Sequence, residues 1–159
     1  MLVSPESLAI IGGAIALAGG LAGSAIGIGT AGSAGAATLS EEPGQLRNVI
    51  LLASLPMTQT FYGLITLILI LVTVVDKVGE MANGSGMGLA VLGIGVITAA
   101  AEAFSGAYQG AVCASGISLL PKTKGRILTN SMMLAVFVEL IGVLGLVFAI
   151  MALAMLGLF

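Results

Sequence analysis

A chain of 159 residues in which 58% are hydrophobic and only 8% charged cannot cover itself with a water-facing shell, because a soluble domain carries about 25% charged residues. Its mean hydropathy of +1.21 points instead to an integral membrane protein. A net charge of −2, few Lys and Arg and no aromatic platform beside them exclude nucleic-acid binding, and the single cysteine, Cys113, excludes an internal disulfide.

No charge occurs between Glu6 and Glu41. The run exceeds the roughly 20 residues that cross the hydrocarbon core, and no open strand edge is tolerated there, so a first helix is expected near 5–39. Glu6 and the lack of a basic leader argue against a cleaved signal peptide. Gly23, Gly27, Gly29, Gly32 and Gly35 lie in this helix among Ala and Ser. The stretch GIGTAG (27–32) satisfies G-x-G-x-x-G, but a dinucleotide fingerprint needs a strand before it and a helix opening after it. Inside an unbroken apolar run the glycines mean close helix packing. Gly106 and Gly110, in the similar run GAYQGAVCASG (106–116), are read the same way.

The polar turn SEEPGQLRN (40–48) leads into a second uncharged run between Arg47 and Asp76, expected to be helical near 46–76. Within LPMTQTFYG (55–63), Leu55, Thr58, Gln59 and Tyr62 fall at i, i+3, i+4 and i+7 and share one face. Pro56 lacks an N–H and disturbs the preceding turn, freeing carbonyl oxygen. Thr58 adds a hydroxyl, Gln59 an amide oxygen and Tyr62 a phenolic O–H. Taken alone, Thr and Gln here could simply bond neighbouring helices.

After the longer connector DKVGEMANGSG (76–86), a third helix is expected near 84–120, with Glu102 its one charge. Glu102 shares a face with Ser105 and Gln109 but lies about 10 Å farther from the short loops than Gln109. It is expected to be structural or to face a lumen. Cys113 reads as a small packing residue.

The short loop PKTKGR (121–126) opens a fourth helix near 126–158, uncharged except for Glu139. An ionised carboxylate at the bilayer centre costs about 2.5–3.5 kcal/mol on insertion scales. Glu139 must therefore be protonated or paired with a cation when it faces lipid. Gln59 comes 12 residues after Arg47, Gln109 12 before Pro121 and Glu139 13 after Arg126. All three lie about 18–20 Å along their helices from the loop side, which is the arrangement of one site near mid-membrane.

The four helices form two tandem hairpins, 1–79 and 80–159, in an all-α membrane fold. Arg47 matches Arg126, and Gln59 matches Glu139, at an offset near 80 residues, so the hairpins read as copies. Arg47, Lys122, Lys124 and Arg126 lie at the two short loops, against Lys77 alone on the other side. The positive-inside rule then puts loops 41–47 and 121–126 in the cytoplasm and both termini outside.

LPMTQTFYG, FSGAYQG (104–110) and VELIG (138–142), in that order within two glycine-rich hairpins, together resemble the duplicated rotor-ring proteolipid of V-type and archaeal-type ATPases. The likeness covers nearly the whole chain. It implies a ring of identical subunits in a prokaryotic plasma membrane. The ring turns in the lipid against a stator subunit carrying an essential Arg, and its polar loops meet the central stalk. The chain itself would have no ATP-hydrolysing site. In sodium-translocating members the ion is held by oxygens matching the Leu55 carbonyl, Thr58, Gln59, Gln109 and Glu139, with Tyr62 bonding the carboxylate. Every one of these positions holds the required residue type, whereas Glu102 lies outside that pattern. A proton needs one acceptor. Several converging oxygens suit a hard cation, so Na+ is expected and H+ is the alternative. The rival readings are a small four-helix transporter or channel with an embedded glutamate, and a purely structural membrane oligomer.

Overall fold

The computed structural model describes residues 4–81 and 84–159. Ala82 and Asn83, within the expected 76–86 connector, lie outside the described residues. Four long helices carry the fold: α1 (Pro5–Glu41), α2 (Pro43–Glu80), α3 (Gly84–Ser118) and α4 (Leu128–Met155). Each is long and apolar enough to cross a membrane, and no strand occurs among the described residues. This is the all-α architecture expected.

The ends follow local chemistry. Ser4 caps α1 by accepting the Ser7 N–H at 3.2 Å, with Pro5 in the first turn where its missing N–H costs nothing. Pro43 ends α1 and opens α2 through a tight turn, Pro43–Gln45. The expected second helix is too short at its far end. It continues through Asp76 and Lys77 to Glu80, because charged side chains at a helix end reach water without breaking the backbone ladder. The loop after α3 begins with a helical turn, Leu120–Thr123. It closes at Lys124 and Gly125, both left-handed with φ of 50° and 80°, and Gly125 donates its N–H back to the Leu120 carbonyl. Glycine at the second position meets that conformation without strain.

Small residues decide the packing. α1 and α3 run backbone against backbone. A Cβ on Gly23 would stand 2.5 Å from the Glu102 carbonyl oxygen, and one on Gly106 would stand 2.6 Å from the Gly23 carbonyl carbon. Gly12 faces Gly95, and Gly27 faces Gly110, still more closely. Without a hydrophobic drive between helices in lipid, such close approach is a main source of association. α2 lies on α1 where Gly20 meets the Gln59 backbone and Gly63 meets Ala16. α4 lies on α3 through Gly142 and Gly145.

Gly35 faces Val49, whereas Gly29 and Gly32 have nothing within 4 Å. The close packing expected at those two is therefore not made inside the chain. The glycine stretch 27–32 lies within continuous helix, as its reading as a packing face required.

α2 and α4 turn large apolar groups outward, among them Phe61 and Val72, and Leu134, Phe137 and Leu144. Two buried apolar clusters divide the interior. One, at the loop end, contains Val49, Leu52, Cys113, Ile117, Leu120 and Ala135. The other, toward the chain ends, contains Ile70, Val74, Val91, Ala149 and Leu153. Cys113 is a packing residue, as expected. Nearly all the buried polar side chains of α2 and α3 lie between the two clusters.

Candidate ion-binding site

The site is built on a defect in α2. Pro56 has no N–H for the Leu52 carbonyl four residues back, so the backbone tightens into a 3-10 turn over Leu55–Met57. The Leu55 N–H takes the Leu52 oxygen instead. The Leu52 oxygen is thus re-bonded, and the Leu55 carbonyl, the oxygen expected in the site, is turned toward Thr58. It accepts the Thr58 N–H. The Thr58 hydroxyl lies 3.4 Å from the same carbonyl and 3.3 Å from Gln59 Oε1.

From Gln59 the contacts cross to the second hairpin. The Gln59 amide is wholly buried and donates to Gln109 Oε1 at 2.9 Å and to Ser105 Oγ at 3.0 Å. Gln109 donates to Glu139 Oε2 at 3.3 Å, and Tyr62 donates its phenolic proton to Glu139 Oε1 at 3.1 Å. All six residues predicted from the sequence therefore meet in one continuous set of polar contacts. Glu139 is half-buried, as are Leu55, Thr58 and Tyr62. Gln59 and Gln109 lie behind it, fully enclosed.

Chemically the site offers one carboxylate, two amide oxygens, a hydroxyl and a backbone carbonyl. The described residues contain no group of three or more His, Cys, Asp or Glu. A single negative charge among neutral oxygens balances one monovalent cation.

Sequence reasoning gave Ser105 no role in the site. Its hydroxyl accepts from Gln59 and donates to the Val138 carbonyl at 3.0 Å, joining α2, α3 and α4. The available signal was its i, i+4 spacing from Gln109. Glu102 lines no lumen. It is wholly buried and faces α4, with neither oxygen hydrogen-bonded. Ser24 accepts the Thr60 N–H at 3.2 Å and fixes α1 behind the site.

The family model for the ATP synthase C subunit matches the chain twice, over residues 11–70 and 92–152. The chain belongs to the ATP synthase C subunit family. Two successive matches make this member of the family a tandem duplication, and Gln59 and Glu139 fall at nearly the same place in their two copies. Among its relatives, the V-type sodium ATPase subunit K of Enterococcus hirae is 34% identical over 125 residues, which is 79% of this chain and 76% of that protein. The A-type ATP synthase subunit K of Methanocaldococcus jannaschii is 35% identical over 154 residues, 96% of this chain and 64% of that protein. The chain thus spans just under two thirds of the archaeal relative's length.

Proposed function

We propose that the chain is the ion-carrying rotor subunit of a V/A-type ATPase and that it carries Na+ on Glu139. One observation carries this reading: Tyr62 and Gln109 both donate to the half-buried carboxylate of α4, and Gln59, Thr58 and the Leu55 carbonyl continue the polar set from Gln109. Residues 1–79 and 80–159 act as two tandem hairpins, and the second supplies the carrier.

The mechanism follows from electrostatics. With Na+ bound, Glu139 is locally neutral and can pass through lipid as the ring turns. Tyr62 and Gln109 donate to the carboxylate, stabilising its charged form and holding its orientation. Opposite a stator Arg the charged, empty form is stabilised, and the ion leaves into an aqueous half-channel. Moving one charge across 100 mV requires about 2.3 kcal/mol. ATP hydrolysis in the soluble part supplies that work, or the gradient returns it during synthesis. The loops at 41–47 and 121–126 face the central stalk.

The test uses a carbodiimide, which reacts only with the protonated acid. Saturating Na+ is expected to slow modification of Glu139 near neutral pH, and the protection should weaken as pH falls, because proton and Na+ compete for the same oxygens. Gln109→Ala or Thr58→Ala should shift half-protection to higher Na+, since each removes an oxygen from the set. An unchanged rate in saturating Na+ would reduce the oxygens to interhelical bonding and leave the proton as the carried ion.

Orientation is tested separately. In sealed cells, a cysteine placed at Thr123 should resist an impermeant thiol reagent added outside, while one placed at Phe159 should react. The buried Cys113 gives little background. The reverse pattern would turn the subunit over and move the stalk contact to the other face.

A further inference from the structure

Glu102 is the second carboxyl in the membrane part of the chain, and the ion site leaves it out. It lies on α3, two turns or about 10 Å from Gln109. It is wholly buried, and neither of its oxygens is hydrogen-bonded among the described residues. It therefore bonds no residue of the ion site.

Space has been left for it on α4. A Cβ on Gly142 would stand 2.8 Å from Glu102 Oε2, and one on Gly145 would stand 3.2 Å from Oε1. The Ser105 hydroxyl borders the same place, 3.1 Å from that Gly142 position. Ser105 accepts one hydrogen bond from Gln59 and donates one to the Val138 carbonyl. A hydroxyl has two acceptor lone pairs, so one is left for a donor on the Glu102 side.

No cation answers the carboxyl. The membrane part of α2 brings Tyr62 as its only titratable group, and α4 brings Glu139. α1 brings none between Glu6 and Glu41, and α3 itself adds only Tyr108 and Cys113. Arg47, Lys77, Lys122, Lys124 and Arg126 all lie at or beyond the helix ends. A charge buried without a partner is strongly disfavoured. One carboxyl beside one hydroxyl also falls short of the oxygen set a metal cation takes, but it is enough for a proton.

We propose that Glu102 is a second, proton-only site of the subunit: a carboxylic acid that keeps its proton, turned toward Ser105, while Glu139 carries the transported ion. Each chain then holds two cations of different kinds. In that arrangement Ser105 would take the Glu102 proton on one side while it accepts from Gln59 on the other.

Infrared absorption spectroscopy of the assembled ring, at neutral pH and saturating Na+, compared between wild type and variants, reads this directly. Only the Na+ arm rests on the proposed role of Glu139. The expected result is a protonated-acid carbonyl band that persists in Na+, survives in Glu139→Gln and is absent in Glu102→Gln. Na+ protection of Glu139 should be unchanged in Glu102→Gln, because a neutral amide replaces a neutral acid. If the amide variant fails to assemble, Glu102→Asp should shift the band rather than remove it.

The absence of any protonated-acid band in Na+-saturated wild type would overturn the proposal, as would a band indifferent to both Glu102 variants. So would a loss of Na+ affinity of about tenfold or more in Glu102→Gln, the size expected from deleting a full negative charge about 10 Å away at an effective dielectric near 20. Two bands in Na+, one lost in each glutamine variant, would instead sink the Na+ assignment at Glu139 and leave the Glu102 site standing.

Discussion

Glu139→Gln is expected to stop ion transport completely while the ring still assembles. The substitution keeps the shape of the side chain. Its amide oxygen can still accept from Tyr62 or Gln109, so the contacts that join α2, α3 and α4 at this level survive in part. What disappears is the one group able to exchange a neutral, loaded state for a charged, empty one. An amide neither binds a monovalent cation with charge balance nor responds to a stator Arg. Reconstituted vesicles should show no ATP-driven Na+ or proton uptake, and native mass in detergent should show the intact ring. Glu102→Gln is the control and should still transport. Transport by Glu139→Gln together with its loss in Glu102→Gln would move the carrier to the other carboxyl.

The second large effect is on assembly. Gly95→Val should give no stable ring. A Cβ at this position runs into the Gly12 backbone of α1. Overpacking a core ordinarily costs about 1–3 kcal/mol because neighbouring side chains can shift. Here the obstacle is main chain on both sides, so α1 and α3 must separate along their contact. Gly93, two residues away on the same helix, has nothing within 4 Å. Gly93→Ala should assemble normally. Native mass of the purified complexes decides it, and a full-sized ring from Gly95→Val would refute backbone contact between the two helices.

Much of the architecture could be read from where charge is missing. In lipid, a long run without Asp, Glu, Lys or Arg has essentially one available conformation. The depth of Gln59, Gln109 and Glu139 was legible for a related reason: rise per residue is fixed in a helix, so counting from the charged loops measures height. Facing was not legible. Ser105 and Glu102 share a helix face with Gln109, and spacing alone cannot say that α4 presents glycines to one and a carbonyl to the other. Nor could the glycines of α1 be sorted. Gly27 lies against α3 while Gly29 faces open space, although both sit in the same small-residue run. That sorting depends on α1 lying along α3, a contact between hairpins rather than within one. The π turn at Ile70–Val74 also left no mark in the pattern of apolar residues.

Gln59, buried and bonded across to Gln109, bears on the energetics of a full revolution. An amide stands where the second copy of the hairpin has Glu139, so with Glu139 as the carrier we propose, a ring of a given circumference would move half as many ions per turn as one with a carrier in every hairpin. The ATP used in that turn is divided among fewer ions, and each can be driven against twice the potential, at about 2.3 kcal/mol for every 100 mV. Such a ring works in low gear: it sustains a steep gradient with modest flux, and it is a poor harvester of a shallow one.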